Sequence, residues 1–126
     1  GHLSTADIRL LELLAERIPF LLPEPDRPAL LHGDLWGGNS LAGIDGLAWL
    51  IDPAVYRGAR EADLAMTELF GGYDRSFYDT YHALLPLPAS YRDLRDLYNL
   101  YHVLNHLNLF GPGYHGQALS IARRYA

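Results

Sequence analysis

Leu31-His32-Gly33-Asp34-Leu35-Trp36-Gly37-Gly38-Asn39 is the stretch on which the reading of this chain turns. A short apolar run leads into a glycine-rich loop that carries a carboxylate, Asp34, and a carboxamide, Asn39. A second isolated carboxylate, Asp52, ends the apolar run Leu47-Ala48-Trp49-Leu50-Ile51. Phosphoryl transfer from a nucleotide needs such a set. One Asp accepts or orients the proton of the attacking hydroxyl, and an Asn and a second Asp hold the magnesium ions that carry the phosphates. Magnesium takes hard oxygen ligands and keeps several waters, so Asn39 and Asp52 suffice as protein ligands and Asp34 stays free for the hydroxyl. Gly33, Gly37 and Gly38 let the backbone turn tightly and approach a ligand. An Asp and an Asn at this spacing are a weak signal alone. The whole run, followed at hairpin distance by Ile51-Asp52-Pro53, is a much stronger one. The plain alternative makes Asp34 and Asn39 turn residues and Asp52 the end of a strand.

Working outward, residues 39–52 read as a β-hairpin. Ser40–Ala42 and Ala48–Ile51 are its arms and Gly43-Ile44-Asp45-Gly46 its turn. Antiparallel pairing then brings Asn39 and Asp52 together beside Asp34. Ala29 to His32 reads as a short strand into the loop. Upstream, residues 5–18 read as a helix capped by Ser4 or Thr5, with Asp7 in its first turn. Ile8, Leu11, Leu14, Ala15 and Ile18 form its expected buried face, and Pro19 its expected end. Pro23, Pro25 and Pro28 mark a rigid connector. Downstream, helices are expected over Arg60–Phe70, Asp74–Leu85, from Ser90 to about Phe110, and over Tyr114–Tyr125. Gly111-Pro112-Gly113 stops the long one. Glu61 and Glu68 read as solvated or paired surface acids. The fold class is therefore mainly α with a small β-hairpin, in a single domain covering residues 1–126.

The 126 residues suffice for one domain with a modest core. A net charge of −5 argues against a broad nucleic-acid-binding face, which would be basic. There is no cysteine, hence no disulfide and no cysteine-based zinc site. No apolar run approaches a membrane span, no basic-then-apolar leader is present, and the chain reads as cytoplasmic.

Three runs together resemble the fructosamine kinase (ketosamine-3-kinase) family, of the aminoglycoside-phosphotransferase-like branch of the protein-kinase-like fold. They are Leu31 to Asn39, Ile51-Asp52-Pro53-Ala54-Val55-Tyr56 and Arg60-Glu61-Ala62-Asp63-Leu64-Ala65-Met66. The later run Leu100 to Gly111 is similar to the same family. The resemblance implies Asp34 as catalytic base, Asn39 and Asp52 as magnesium ligands, and ATP as co-substrate. It also implies Asp63 as the buried acid that braces the catalytic loop. The bland reading of Asp63 is a first-turn acid that favours the helix dipole. Ala59 departs from the family's usual histidine, which leaves the local polar contacts there open.

The long helix carries His102, Asn105, His106 and Asn108. His102 and His106 share a face, but no acid stands between them, so hydrogen-bonded core residues are a better reading than a zinc site. Asn105, His106 or Tyr114 could alternatively reach a sugar acceptor. Trp36 is the better candidate, since a sugar face packs on an aromatic ring, although a loop Trp is often a core anchor.

A protein-kinase-like enzyme also needs a Gly-rich loop, a strand lysine and a helix glutamate over the phosphates. The sequence contains no Lys, and the residues before Ala29 are too few for a five-stranded lobe. The expectation is a C-terminal catalytic lobe without its nucleotide-covering N-terminal lobe, inactive alone. Its parent would phosphorylate the sugar of a fructosamine or ribulosamine, a deglycation chemistry. Self-association through the uncovered face is expected. Two other readings stay open: a phosphotransferase of the same fold acting on an aminoglycoside, choline or homoserine hydroxyl, and a non-catalytic binding module.

Overall fold

The structure is a computed structural model that describes residues 1–126. In chain order it consists of α1 (Thr5–Leu21), β1 (Ala29–Leu31), a 3-10 turn (Gly37–Asn39), β2 (Ser40–Ala42), β3 (Ala48–Leu50), β4 (Tyr56–Gly58), α2 (Arg60–Leu69), α3 (Arg75–Leu84), α4 (Tyr91–Phe110), a second 3-10 turn (Pro112–Tyr114) and α5 (His115–Tyr125). It is mainly helical, with two small antiparallel sheets. The contacts divide it into two compact units, Gly1–Glu24 with Asp96–Ala126, and Pro25–Arg95.

In the first unit, α1 packs against α5. Its start is fixed by a capping box. The Ser4 hydroxyl accepts from the Asp7 N–H at 3.2 Å, and the Asp7 carboxylate accepts from the Ser4 N–H at 2.8 Å. Asp7 also meets His115 Nε2 at 3.1 Å, which ties the starts of α1 and α5 together. The core of this unit gathers Leu14, Leu97, Leu100, Val103, Leu107 and the small-residue face of α5. The expected end of α1 at Pro19 is corrected: the helix runs on to Leu21. Pro19 removes one helical bond and crowds the carbonyl one turn back, yet the last turn still closes, with Leu22 N–H donating to Ile18 at 2.9 Å. The expected buried face is corrected as well. Leu14 is buried and Leu11 and Ile18 half-buried, but Ile8 and Ala15 are exposed.

In the second unit, the β2–β3 hairpin pairs Ser40 with Leu50, Leu41 with Trp49 and Ala42 with Ala48. Asp45 accepts from Leu47 N–H at 3.0 Å and so shapes its turn. A second sheet was not foreseen: β1 pairs with β4, Leu31 opposite Tyr56 and Ala29 opposite Gly58. It holds both ends of the loop-and-hairpin segment. Helix α2 packs against β1 and buries Leu64, Ala65, Met66 and Thr67. Helix α3 starts at an Asp74 cap on Phe77 N–H and buries none of its residues. Two side-chain ties hold it. Arg60 donates to the Tyr81 hydroxyl and to the carbonyls of Leu85 and Pro86, and Thr67 Oγ1 bonds Tyr78 Oη at 2.9 Å.

Candidate active site

The loop between β1 and β2 is fixed from below by one carboxylate. Asp63 accepts from His32 N–H at 2.7 Å and from Gly33 N–H at 3.0 Å, one oxygen for each. Two successive amides that no strand partner serves are thus satisfied by a charged acceptor, the stronger class of hydrogen bond. Asp63 sits in the first turn of α2, so the helix dipole favours its charge too.

His32 ties the loop to the segment after β3 that carries Asp52. Its Nδ1 accepts from Asp34 N–H at 3.2 Å, so the ring proton lies on Nε2, which donates to the Ile51 carbonyl at 2.7 Å. Two backbone bonds reinforce this tie. Ile51 N–H donates to the Asn39 carbonyl at 3.0 Å and Ala54 N–H to the His32 carbonyl at 2.8 Å. Asp52 lies between those anchors with φ +50°, the one positive φ outside glycine. An Asp tolerates that region better than most residues, yet it precedes Pro53, which restricts it further. The hydrogen-bonded neighbours hold the unfavourable geometry.

Gly33 lets the two segments meet. With φ +86°, it would carry a Cβ only 1.9 Å from the Ala54 carbonyl oxygen. Gly37 plays the same part on the other side of the loop. A Cβ there would lie 3.0 Å from the Gly71 carbonyl oxygen and 3.1 Å from Gly72 Cα. Trp36 packs edge-on against Phe70, with ring centroids 6.4 Å apart. The segment after α2, Phe70-Gly71-Gly72, is therefore a seat for the loop.

Asn39 is buried, and its Nδ2 donates to the Asp34 carbonyl at 2.8 Å and to Asp34 Oδ2 at 3.2 Å. Those two acceptors fix the amide's orientation and leave Oδ1 as the oxygen available to a hard cation. The Asp34 oxygen not engaged by Asn39 takes no bond from the protein. The Asp52 side chain is exposed. This donor set, a neutral amide oxygen and a carboxylate, fits Mg2+, which needs only one or two protein oxygens. No group of three or more His, Cys, Asp or Glu side chains forms a metal cage.

Of the other sequence candidates, Trp36 borders the loop and is 41 % exposed. His106 and Tyr114 belong to the first unit, where they stack on one another at 5.2 Å and both pack on Phe110. His106 Nδ1 donates to the His102 carbonyl at 2.7 Å. Sequence reasoning missed His32 and the Gly71-Gly72 seat. The imidazole two residues before the Asp and the paired glycines after an apolar helix were the available signals.

Comparison with known proteins bears on the same stretch. The family model described as fructosamine kinase matches residues 5–126. A "Probable ketoamine kinase" of Synechocystis sp. is 48 % identical over 113 residues, covering 90 % of this chain and 36 % of the relative. The ketosamine-3-kinase of Mus musculus is 47 % identical over 96 residues, covering 76 % and 31 %. A crystal structure of a candidate fructosamine-3-kinase from Thermobifida fusca superposes with a TM-score of 0.88 at 42 % identity, over 99 % of this chain and 43 % of that one. The chain spans about a third of the length of the curated relatives it matches.

Proposed function

The chain belongs to the fructosamine kinase family, and we propose that it is the C-terminal catalytic lobe of an ATP-dependent kinase acting on a sugar hydroxyl of ketosamines. Its fold is the mainly helical part of a protein-kinase-like architecture. The observation that carries the reading is the loop itself: one network joins Asp34, Asn39, His32, Asp63 and the Ile51–Ala54 segment. In this reading the open oxygen of Asp34 accepts the proton of the attacking sugar hydroxyl. Asn39 Oδ1 and Asp52 would hold Mg2+, which when bound neutralises charge on the phosphates. Asp63 keeps the loop amides occupied, and His32 fixes the spacing between the Asp34 and Asp52 segments. Trp36, 41 % exposed, offers the sugar an aromatic ring two residues from the base. His106 and Tyr114 already serve as partners to each other and to Phe110, so Trp36 is the stronger choice for the substrate contact.

Nucleotide positioning supplies much of the catalysis in such enzymes, so the lobe alone should turn over little or not at all. The N-terminal lobe is its natural partner. The exposed apolar hairpin is where a partner, or a second copy of the chain, would cover it. No helix is long and apolar enough to cross a membrane, and a cytoplasmic location completes the proposal. The test is ATP-dependent phosphorylation of fructosyl and ribulosyl amines by the protein made with its upstream region. Phosphate transfer to the sugar, absent with choline or an aminoglycoside, is the expected result. Transfer to those acceptors but not to ketosamines would favour the second kind of phosphotransferase.

A further inference from the structure

Away from the Asp34 loop, the second unit holds a cleft of about 820 Å³ walled by α2, α3, the connection between α3 and α4, and the first two turns of α4. That volume lies within the range of small-molecule sites. Its apolar lining includes Leu64, Leu87 and Pro88. Its polar lining is unevenly matched. The Glu68 carboxylate takes the Tyr91 hydroxyl on one oxygen and Arg95 at 3.5 Å on the other. Asp79, largely exposed, lies 3.5 Å from Arg75 in a solvated i,i+4 pair. Arg92 lies one turn before Arg95 and also lines the cleft, and no ion pair holds it. His82 Nδ1 accepts from Leu87 N–H at 3.4 Å, which leaves its ring proton on Nε2. The cleft thus has an occupied acid, Glu68, a second acid, Asp79, turned largely to solvent, and a spare donor, Arg92.

We propose that this cleft binds a small organic monoanion, a carboxylate on a flat apolar body, with the carboxylate on Arg92 and the body against Leu64, Leu87 and Pro88. A guanidinium matches a carboxylate in a bidentate fork. A dianionic phosphate fits less well, because Glu68 and Asp79 share the lining and like charge repels it more strongly. A cation meets Arg92 and Arg95 together. The site uses none of the residues assigned to phosphoryl transfer, so its success or failure is independent of that reading.

The experiment is a ¹H–¹⁵N titration of the 126-residue chain with benzoate, run in parallel with benzylammonium and inorganic phosphate. Benzoate should give saturable shifts centred on residues 78–95. Arg92→Ala should weaken it about tenfold or more, the loss of one charged contact, while Arg123→Ala leaves it unchanged. Ala83→Phe, which fills the cleft from an exposed wall, should abolish it. Absent or unsaturable shifts, shifts centred on residues 32–54 instead, equal affinity in Arg92→Ala, or binding of benzylammonium or phosphate as tight as benzoate would each overturn the proposal.

Discussion

At Gly33 two demands meet in one residue, a φ of +86° and a neighbouring carbonyl oxygen 1.9 Å from where a Cβ would stand. Gly46 makes only the first demand: its φ is +77° and open space surrounds it. Gly33→Ala should therefore destabilise on the order of 3 kcal/mol, and Gly46→Ala only about 1 kcal/mol. Urea unfolding of the two variants separates the backbone clash from the cost of φ. At Asp7 the bond from Ser4 N–H, with help from His115 and the Ser4 hydroxyl, lowers the carboxyl to about 2 from 3.8. A depressed carboxyl contributes stability that is fully present above its unfolded value and is lost as pH falls through the folded one. Asp7→Asn should therefore lower the melting temperature near neutral pH, and the gap to wild type should close between about pH 4 and pH 2. A gap that persists unchanged to the lowest pH would contradict the capping-box contribution. Asp34, Asn39 and Asp52 stood out by their spacing within the Leu31–Asn39 run and ahead of Pro53, not by residue type, since turns favour Asp and Asn anyway. The partner of each was not legible: that Asn39 would aim its NH2 at Asp34 depends on atoms brought together by folding.

Among the elements, the β2–β3 hairpin could be read from sequence because its pattern is local. Two apolar arms flank a Gly-x-Asp-Gly turn, and the observed register follows. Strand β4 could not be read so. Tyr56-Arg57-Gly58 is three residues long, ends in glycine, and owes its strand geometry to Leu31, Leu30 and Ala29 far back in the chain. The face of α1 misled for a related reason. A periodic apolar pattern says which residues share a face, not how much of that face a neighbour covers, and Ile8 stays 46 % exposed. Helix α2 shows the reverse case, where a single side chain carries an element's purpose. Asp63→Ala leaves the His32 and Gly33 amides without their acceptor and should cost about 2–4 kcal/mol. Asp63→Asn, which keeps one acceptor oxygen, should lose less. Hydrogen exchange should speed up at residues 32 and 33 in both, and unchanged protection there would refute the bracing role.

For the whole molecule, the distribution of apolar surface is the informative feature. The hairpin exposes Leu41, Ile44, Leu47, Trp49 and Leu50, each by half or more. Trp49 pairs with Leu41 on one face of the hairpin and Leu50 lies on the other, and apolar side chains left open this way mark an interaction element. At raised concentration the chain should self-associate through it, and Trp49→Glu should return the light-scattering mass to that of a monomer. A strictly monomeric wild type at every concentration would remove this expectation. The proposed catalytic roles depend on the parent protein, because the chain spans about a third of its curated relatives. The most direct test compares wild type with Asp34→Asn in the protein made with its upstream region, measuring turnover of a fructosamine alongside ATP affinity. Asp34→Asn should reduce kcat by about 10²- to 10⁴-fold, the usual contribution of a positioned base, with ATP affinity and melting temperature near wild type. Turnover retained at the wild-type rate would contradict the assignment of Asp34 as the group that receives the hydroxyl proton.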